Sequence, residues 1–363
     1  PDYDDEDGNY DITYPRVLEN FKLDGLLGGG GFCRVAKGVE VNKEARQAVA
    51  IKISQLGQES RAAAKRELRV LKALEMNDKK YHERFTRLRD FFEFGGHIFI
   101  VMDLLDQSIY DFLKDNNFIP FPDSHIQSFA QQIFSSIKYL HDHGLIHVDI
   151  KPKNILLHNK QFTISPCSSK LKSSFVSRGR YIVERRVLLS TEIRLIDFGF
   201  TVFENEHQTH CLATMQYCAP EAMLFLKWSF PRDIWSIGCT LVELFTGKAL
   251  FDTVEKIWPS YVAMMEIVTG SRIVEWMYPV IDKKHREMFT FLIAAAVGLR
   301  SKSIKKVKHI DEIIPKNNDF RAGFADLVKK ALVLDPDKRI TAEEALNHSC
   351  LRESAQSDSD CDL

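Results

Sequence analysis

The chain has 363 residues, of which 45% are hydrophobic and 27% charged, a balance typical of a soluble globular protein with two or three compact units. Its 49 basic and 50 acidic residues leave a net charge of −1, which gives no support for general electrostatic binding to nucleic acid or anionic lipid. The longest uncharged apolar run, Phe291 to Leu299, is about half as long as a membrane span. We therefore expect no direct nucleic-acid partner and no membrane segment.

The cysteines indicate a reducing compartment. They are odd in number and never spaced as Cys-x-x-Cys, unlike a disulfide framework or a structural zinc site. The seven are Cys33, Cys167, Cys211, Cys218, Cys239, Cys350 and Cys361. We expect free thiols and a location in the cytosol, the nucleus or both. A lysine cluster between Lys302 and Lys308 is either a weak nuclear import signal or a solvated face.

The first third of the chain has the pattern of a small sheet with one helix. Pro1 to Asp11 carries six acidic residues and no basic one, which predicts a solvated arm. Ala48 to Ile53 and His97 to Met102 are short apolar runs typical of buried strands. Arg61 to Leu74 is rich in Ala, Arg, Lys, Glu and Leu, so it predicts a helix between those strands.

After residue 106 the pattern changes to long helices. Ser124 is a candidate N-cap for an amphipathic helix that would stop at Gly144. Ile234 to Phe245 is apolar on nearly every side, which predicts a buried central helix ended by Gly247. Thr341 and the glutamate three residues later predict a capping box that opens the last helix.

A basic insertion, defined as residues 158–194, separates two later motifs by far more than an ordinary loop. Eight basic residues stand here against two acidic ones, Glu184 and Glu192. The basic residues are Lys160, Lys170, Lys172, Arg178, Arg180, Arg185, Arg186 and Arg194. The insertion is either a solvated, partly mobile segment or a docking surface for an acidic or phosphorylated partner.

A run of glycines near the start of the chain could hold phosphates. Gly28, Gly29, Gly30 and Gly31 let the backbone approach a phosphate and direct N–H groups at it, although an ordinary hairpin turn has the same composition. The run lacks the Gly-Lys-Ser/Thr of a Walker A loop. It also has Cys33 where a dinucleotide-binding fingerprint has its third glycine.

The order and spacing of the motifs that follow indicate which kind of site the glycine run belongs to. It is followed in order by the motifs Val49-Ala50-Ile51-Lys52, Glu67, His147-Val148-Asp149-Ile150-Lys151-Pro152-Lys153-Asn154, Asp197-Phe198-Gly199 and Ala219-Pro220-Glu221. This series resembles the protein kinase signature, over roughly residues 15 to 352. The resemblance implies an α+β, bilobal kinase fold, with a small β-rich N-lobe that carries one regulatory helix and a larger, mostly helical C-lobe. It also implies ATP and Mg²⁺ as cofactors and protein substrates as partners.

The resemblance assigns a role to each motif residue. Lys52 would pair with the α- and β-phosphates and be steadied by Glu67, with Leu71 packed one turn beyond. Asp149 would orient the substrate hydroxyl and Lys151 would neutralise the γ-phosphate. The residues that would hold Mg²⁺ through oxygen ligands are Asn154 and Asp197. We expect His147 to be a packed structural histidine.

A second set of residues would bind the nucleotide. The glycine turn with Phe32 and Cys33 would cover the phosphates, and the backbone of the hinge segment Asp103–Leu105 would hydrogen-bond adenine. The apolar residues that would sandwich the base are Leu27, Val35, Ala50, Leu156 and Ile196, with Met102 at the back. By the same mapping the chain comprises an acidic N-terminal arm (1–14), N-lobe (15–102), hinge (103–106), C-lobe (107–352) and a disordered acidic Ser/Asp tail (353–363).

Within the kinases, the chain resembles the LAMMER or CDC-like dual-specificity group of the CMGC kinases. Four segments carry this likeness: Met102 to Leu113, Leu195 to Gly199 after a long insertion, Trp228 to Cys239, and Val262 to Ile267, which is similar to the LAMMER motif itself. The resemblance implies transfer of phosphate to Ser/Thr and to Tyr, on Arg/Ser-rich splicing factors.

Some residues depart from the family pattern. Cys33 replaces the third loop glycine, which predicts backbone strain if its φ is positive. Its thiol is either a reactive group of lowered pKa or a buried, inert one. Val148 and Phe200 are further changes. Met215 to Cys218 replaces a segment in which the family has one arginine before a histidine and another after the tyrosine, so the choice of Arg/Ser-rich substrates stays open. The sequence therefore leaves open an active kinase and a nucleotide-binding pseudokinase or scaffold.

Overall fold

The computed structural model describes residues 4–12, 17–42, 46–169, 181–206, 214–252, 258–277 and 307–352. By its contacts the chain divides into two compact units. The first consists of Pro1–Asp106, Leu156–His158 and Arg194–Thr201, and the second of Gln107–Ile155, Asn159–Ile193 and Val202–Leu363. The first division falls after Asp106, where the expected hinge ends. Two short segments that the sequence assigned to the C-lobe pack with the first unit.

Backbone hydrogen bonds explain why these two segments join the first unit. Leu157 accepts from the N–H of Asp106 at 3.0 Å. Leu195 accepts from the N–H of Thr86 at 3.2 Å and donates to Arg84 at 3.0 Å. Each of these two segments therefore provides hydrogen-bond partners for backbone groups of the first unit that would otherwise be buried without partners.

The first unit is built on a six-stranded sheet in the order β1-β2-β3-β4-β6-β5, all neighbours antiparallel. The strands are β1 (Val17–Leu18), β2 (Phe21–Gly30), β3 (Cys33–Glu40), β4 (Ala48–Ser54), β5 (Leu88–Phe94) and β6 (His97–Asp103). β4 and β6 pair at the centre, and Ile51, Phe99 and Val101 are almost completely buried there. Both apolar runs predicted as strands are thus confirmed.

The single long helix of this unit is α1 (Gln58–Asn77), three residues longer at each end than predicted. Its buried residues recur at helical spacing and include Ala64, Leu68, Leu71 and Leu74. The same face buries the carboxylate of Glu67, which a helix tolerates only when the charge is paired.

The described part of the N-terminal arm packs on the sheet through Tyr10, so the prediction of a fully solvated arm is wrong, although Asp4, Glu6 and Asp7 are exposed. Tyr10 is 2% exposed and meets the rings of Phe94, His97 and Phe99 edge-on. Asp4 pairs with His97 at 2.7 Å. The acidic composition predicts a solvated segment. The stabilisation from burying Tyr10 and from pairing individual carboxylates is larger than the tendency of the acidic residues to stay in solvent.

The second unit is mostly helical. Its helices are α2 (Ile109–Asp115), α3 (Asp123–Asp142), α4 (Pro220–Met223), α5 (Pro231–Thr246), α6 (Trp258–Thr269), α7 (Ile310–Ile313), α8 (Asp319–Ala331), α9 (Ala342–Leu346) and α10 (Ser349–Arg352). The central α5 is buried along nearly its whole length, as predicted, and ends at Gly247 with φ 73°. Gly144, with φ 68°, follows the end of α3.

Two helix boundaries differ from the prediction. α3 begins at Asp123 after Pro122, which provides no side-chain cap, so Ser124 lies inside the helix and is not its N-cap. The capping box between Thr341 and Glu344 is confirmed, but it opens α9, and the short α10 follows it.

The basic insertion forms a hairpin over its described residues. β9 (Phe162–Ser169) pairs antiparallel with β10 (Tyr181–Leu188). The remaining strands form two small sheets, β8 (Ile155–Leu157) with β11 (Ile193–Leu195), and β7 (Leu145–Ile146) with β12 (Val202–Phe203). The hairpin shows that the insertion is an ordered element at its base, whereas residues 170–180 lie outside the described part. Among the described helices, none is long and apolar enough to cross a membrane.

We predict that Tyr10→Ala lowers the free energy of unfolding by about 3 kcal/mol, because it removes a buried aromatic ring. Met76→Ala is the control, since Met76 is 87% exposed on α1. Equilibrium urea unfolding measures both. If the segment were a solvated arm, the two variants would lose the same small amount of stability.

Candidate active site

The glycine turn is the tip of the β2–β3 hairpin. Gly28 pairs with Val35, Gly29 with Arg34 and Gly30 with Cys33. An added Cβ at Gly28, Gly30 or Gly31 would meet no heavy atom within 4 Å. Packing therefore does not require these glycines, whereas the close approach of a phosphate to the backbone does.

Cys33 does not have the strained backbone that its position suggested. It is absent from the described residues with positive φ, so the expected backbone strain is not found. Burial raises the pKa of its thiol, although the positive charge of Lys52 acts in the opposite direction. A raised pKa favours the inert alternative, because the thiolate is the reactive form, although Cys33 is half-buried and not fully enclosed.

Lys52, whose side chain is 14% exposed, is at the centre of a charge network in the first unit. Its Nζ lies 2.6 Å from Oε2 of Glu67 and 2.8 Å from Oδ1 of Asp197. Glu67 also accepts the N–H of Phe198 through Oε1 at 3.3 Å. Leu71, one turn further along α1, is fully buried, as predicted. The network joins three motifs that are up to 145 residues apart in sequence.

The two carboxylates decide the charge of this lysine. Burial disfavours the ammonium group, but Asp197 and Glu67 outweigh burial and hold the pKa of Lys52 well above its usual value. Burial raises the pKa of Glu67, and the nearby ammonium opposes that rise. Lys52 therefore stays positively charged, and its ion pair with Glu67 fixes the position of the ammonium group.

The Asp197–Gly199 turn is held by a set of local contacts. Asp197 has φ 66°, the left-handed region, and its Oδ1 accepts the N–H of Gly199 at 3.4 Å. Arg66 on α1 donates to the carbonyl of Gly199 at 3.0 Å. The ring of Phe198 is buried edge-on against Phe85. These contacts offset the strain of a non-glycine residue at positive φ and fix the Asp197 carboxylate.

Phe200, whose effect the sequence did not predict, packs against the tip of the glycine turn. Its ring lies 6.0 Å from that of Phe32 at 74°, an edge-to-face contact. Phe32 is also held through its carbonyl, which accepts the N–H of Gln55. The hairpin tip, rich in flexible glycines, is thereby tied to the Asp197 turn.

The residues expected to hold adenine all belong to the first unit. Ala50 pairs with Met102 in the sheet, and Val35 pairs with Lys52. Leu27, at a register shift of β2, is 51% exposed. Half-buried residues complete the set: Val35, Ala50, Asp103, Leu105, Leu156 and Ile196. Partly exposed apolar side chains beside Lys52 are suited to covering a flat base.

A second polar cluster lies in the other unit. Lys151 donates to Asp149 at 2.6 Å and to the hydroxyl of Thr214 at 2.9 Å. Thr214 also donates to Oδ1 of Asp149 at 3.1 Å. Asn154 donates to the carbonyl and to Oδ2 of Asp149, at 2.8 and 3.1 Å. Three donors therefore orient one buried carboxylate.

Asp233, on α5, holds the segment that leads to Asp149. The sequence motifs did not identify this role. Its two carboxylate oxygens accept the backbone N–H groups of His147 and Val148 at 2.8 and 2.9 Å. Val148 has φ 79°, a strained value for a β-branched residue. Burial opposes ionisation of Asp233, but hydrogen bonding from His141 leads the effects that lower its pKa.

The predicted site residues thus fall into two groups. The first unit holds the nucleotide-binding set with Lys52, Glu67 and Asp197, and the second unit holds Asp149, Lys151 and Asn154. His147 is fully buried, as expected of a structural histidine.

Motif reasoning missed the roles of Thr214 and Asp233. Thr214 carries no local signal. Asp233 follows a proline at the start of a buried helix, where a completely buried carboxylate needs partners.

Comparison with known proteins agrees with this geometry. A protein kinase domain family matches residues 21–351. The dual specificity protein kinase lkh1 of Schizosaccharomyces pombe is 37% identical over 95% of this chain and 49% of its own length. The serine/threonine-protein kinase AFC2 of Arabidopsis thaliana is 35% identical over 95% of this chain and 80% of its own length. The dual specificity protein kinase CLK4 of Homo sapiens is 33% identical over 95% of this chain and 69% of its own length. A crystal structure of a kinase domain aligns with a TM-score of 0.82 at 27% identity, over 96% of this chain and 100% of that chain.

The chain belongs to the protein kinase family, and its fold is the α+β kinase fold. Its relatives are Ser/Thr and dual-specificity kinases of the LAMMER or CDC-like type, so that resemblance is confirmed. The chain spans about half the length of lkh1. Kinase membership implies ATP and a divalent metal ion as cofactors in general.

We predict that Asp233→Asn destabilises the fold by about 2 kcal/mol, because one amide cannot accept both backbone N–H groups. The folded-state pKa of Asp233 is lowered, so its stabilisation is present above the unfolded value of 3.8 and is lost as pH falls through the folded pKa. Urea unfolding at neutral and acid pH measures the difference. Asp142→Asn, at an exposed ion pair, is the control. Equal stability of the two variants would contradict the role of Asp233.

We predict that Phe200→Leu raises KM for ATP about fivefold, because the edge-to-face contact with Phe32 is lost. The double variant with Phe32→Leu should be no worse than either single variant, since both remove one interaction. Steady-state kinetics with ATP as the varied substrate checks this. Strictly additive effects of the two changes would show that the rings act independently.

Proposed function

We propose that the chain transfers the γ-phosphate of Mg·ATP to Ser and Thr, and also to Tyr, of protein substrates. The observation that carries this proposal is the half-buried Lys52, held between Glu67 and Asp197 at 2.6 and 2.8 Å. Phosphoryl transfer depends on positioning and charge neutralisation more than on covalent chemistry, so a fixed cation beside a metal-binding carboxylate is the expected arrangement.

At the nucleotide, the first unit would supply binding and alignment. Lys52 pairs with the α- and β-phosphates, and the N–H groups of the glycine turn surround the others. Adenine lies among the apolar residues beside Ala50 and Met102, and the backbone of Asp103 to Leu105 hydrogen-bonds its edge.

The divalent ion is Mg²⁺ in this proposal. The first unit offers the carboxylate of Asp197 and the second unit offers the amide oxygen of Asn154, and both are hard donors of the kind that this cation prefers. When bound, Mg²⁺ would neutralise charge on the phosphate oxygens. The side chain of Asp197 is 32% exposed although Lys52 binds it, so it retains access for a ligand.

At the substrate, the second unit would supply the remaining groups. Asp149 accepts a hydrogen bond from the attacking hydroxyl and takes its proton as the new bond forms. Lys151 balances the charge of the γ-phosphoryl group. Thr214, which bonds both residues, keeps the Asp149 carboxylate in one orientation.

For the substrate class we propose proteins rich in Arg and Ser, such as splicing factors. Gln216, in the segment before Ala219, donates to the exposed carboxylate of Asp252 at 3.3 Å. That carboxylate can pair with an arginine beside the acceptor serine. Cys218 stands where the family has an arginine, and it is buried. The surface that a substrate would contact is therefore formed by the neighbouring residues. We further propose a nuclear and cytoplasmic location, consistent with the free cysteines Cys33, Cys218, Cys239 and Cys350.

The test is transfer of labelled phosphate from ATP with Mg²⁺ to an Arg/Ser-rich peptide and to myelin basic protein. Asp149→Asn should reduce the rate by at least about 100-fold, because base and charge are both lost, while nucleotide-induced thermal stabilisation persists. Asp252→Asn should weaken use of the Arg/Ser peptide alone.

Two outcomes would contradict the proposal. An Asp149→Asn rate within tenfold of wild type would remove this carboxylate from catalysis. Absence of transfer to either substrate, with ATP still raising the melting temperature, would favour the nucleotide-binding scaffold.

A further inference from the structure

The described part of the N-terminal arm is attached to the same hairpin that carries the glycine turn. Arg34, the second residue of β3, reaches two acceptors of the arm. Its Nη2 binds Oδ2 of Asp5, and its Nη1 donates to the carbonyl of Tyr10 at 3.5 Å. In the sheet, Arg34 pairs with Gly29 of β2. The arm therefore reaches the turn through the residue directly opposite one of its glycines.

Gly29 differs from the other glycines of the turn because it is enclosed. An added Cβ at Gly29 would lie 3.1 Å from the carbonyl oxygen of Cys33 and 3.6 Å from both Cα and Cγ of Arg34. The stem of the Arg34 side chain thus lies beside this glycine. Because the end of the same side chain is held by the arm, the arm limits where this part of the turn can move.

A second connection joins the arm to the tip of the turn. The backbone N–H of Gln55, directly after β4, donates to the carbonyl of Phe32 at 2.9 Å. The side-chain amide of Gln55 donates to the carbonyl of Asp7. The N–H of Leu56 donates to the carbonyl of Gly8 at 2.8 Å. The Gln55–Leu56 segment therefore binds the glycine turn on one side and the arm on the other.

Asp5 gives the arm its local shape. Its Oδ1 accepts the N–H groups of Asp7 and Asn9 at 3.1 and 2.9 Å, and its carbonyl accepts the N–H of Gly8 at 3.0 Å. The hydrogen bond from the N–H of Asn9 is the largest cause that lowers the pKa of Asp5, so this carboxylate is ionised at neutral pH. One carboxylate thus orders the arm with one oxygen and pairs with Arg34 through the other.

The arm lies on the face of the sheet opposite to Lys52. Side chains alternate between the two faces along β3. Ala36 belongs to the buried cluster that contains Tyr10, so Arg34 lies on that face as well. Val35, between them, pairs with Lys52 and lies on the other face. The arm can therefore act on the turn without occupying the space of a nucleotide.

We propose that the N-terminal arm positions the glycine turn for the phosphates of ATP, with Asp5 as a positioning residue that acts through Arg34. A turn with four glycines has a broad choice of backbone conformations, and ordering it on binding costs conformational entropy. Contacts that order the turn beforehand reduce this cost. The inference rests on the proposed function in that the turn holds the phosphates of ATP.

The first experiment measures the Kd of a fluorescent ATP analogue, with Mg²⁺, for the whole chain. Asp5→Asn keeps an oxygen that can order the arm and removes the charge that pairs with Arg34, so Kd should rise about fivefold. Asp24→Asn is the matched control, because Asp24 pairs with Lys37 of the same strand β3 at 3.8 Å. Its Kd should equal that of wild type.

Hydrogen exchange without nucleotide separates positioning from a general loss of stability. In Asp5→Asn, residues 28–34 should exchange about threefold faster than in wild type, because the turn has lost one of its two connections to the arm. Residues 99–101, at the centre of the sheet, should keep their wild-type protection. Equal acceleration in both segments would show that the arm stabilises the whole unit, and would overturn the proposal.

Steady-state kinetics tests whether Asp5 acts through Arg34. Arg34→Met keeps the stem beside Gly29 and should raise KM for ATP as much as Asp5→Asn does, whereas Arg34→Lys, which keeps the charge, should raise it less. The double variant of Asp5→Asn and Arg34→Met should be no worse than either single variant, since both remove one interaction. KM for the peptide substrate should stay at the wild-type value.

Two further outcomes decide the proposal. Equal Kd values for the ATP analogue in wild type, Asp5→Asn and Arg34→Met would overturn it. Absence of phosphate transfer in wild type, with weaker binding of the ATP analogue in Asp5→Asn, would support the positioning role and contradict the proposed function alone.

Discussion

The charge of Lys52 is the constraint on which the candidate site of the first unit depends. An ammonium group that is largely removed from solvent is tolerated because two carboxylates face it, one from helix α1 and one from the Asp197 turn. The helix must therefore present Glu67 inward, and the turn must adopt a left-handed backbone. Hydrogen bonds from Phe198 and Arg66 keep both in place. The glycine turn is connected to the same network through the Phe32–Phe200 contact.

The second unit has its own equivalent, the carboxylate of Asp233. It holds a strained loop by two backbone N–H groups, and this loop leads directly to Asp149. In both units a buried carboxylate is retained because it fixes backbone or side-chain geometry.

Local patterns in the sequence were sufficient to predict much of the fold. The apolar runs of β4 and β6, the central helix α5 and the Thr341 capping box were all confirmed, because each is determined by neighbouring residues. Predictions failed where distant contacts decide: Tyr10 packs the acidic arm onto the sheet, and Pro122 displaces Ser124 as the residue before α3. Within the site, motif order identified Lys52 and Asp149. It could not identify Thr214 or Asp233, whose roles arise only when separate segments meet.

The most direct test of this account is Glu67→Gln, which keeps the shape of the side chain and removes its charge. ATP affinity and the single-turnover rate of phosphate transfer are measured together, with the melting temperature as a check on folding. We expect the rate to fall about 100-fold, because Lys52 is no longer aligned, and affinity for ATP to change much less. A folded variant that transfers phosphate at the wild-type rate would contradict the claim that the buried Lys52 network organises catalysis.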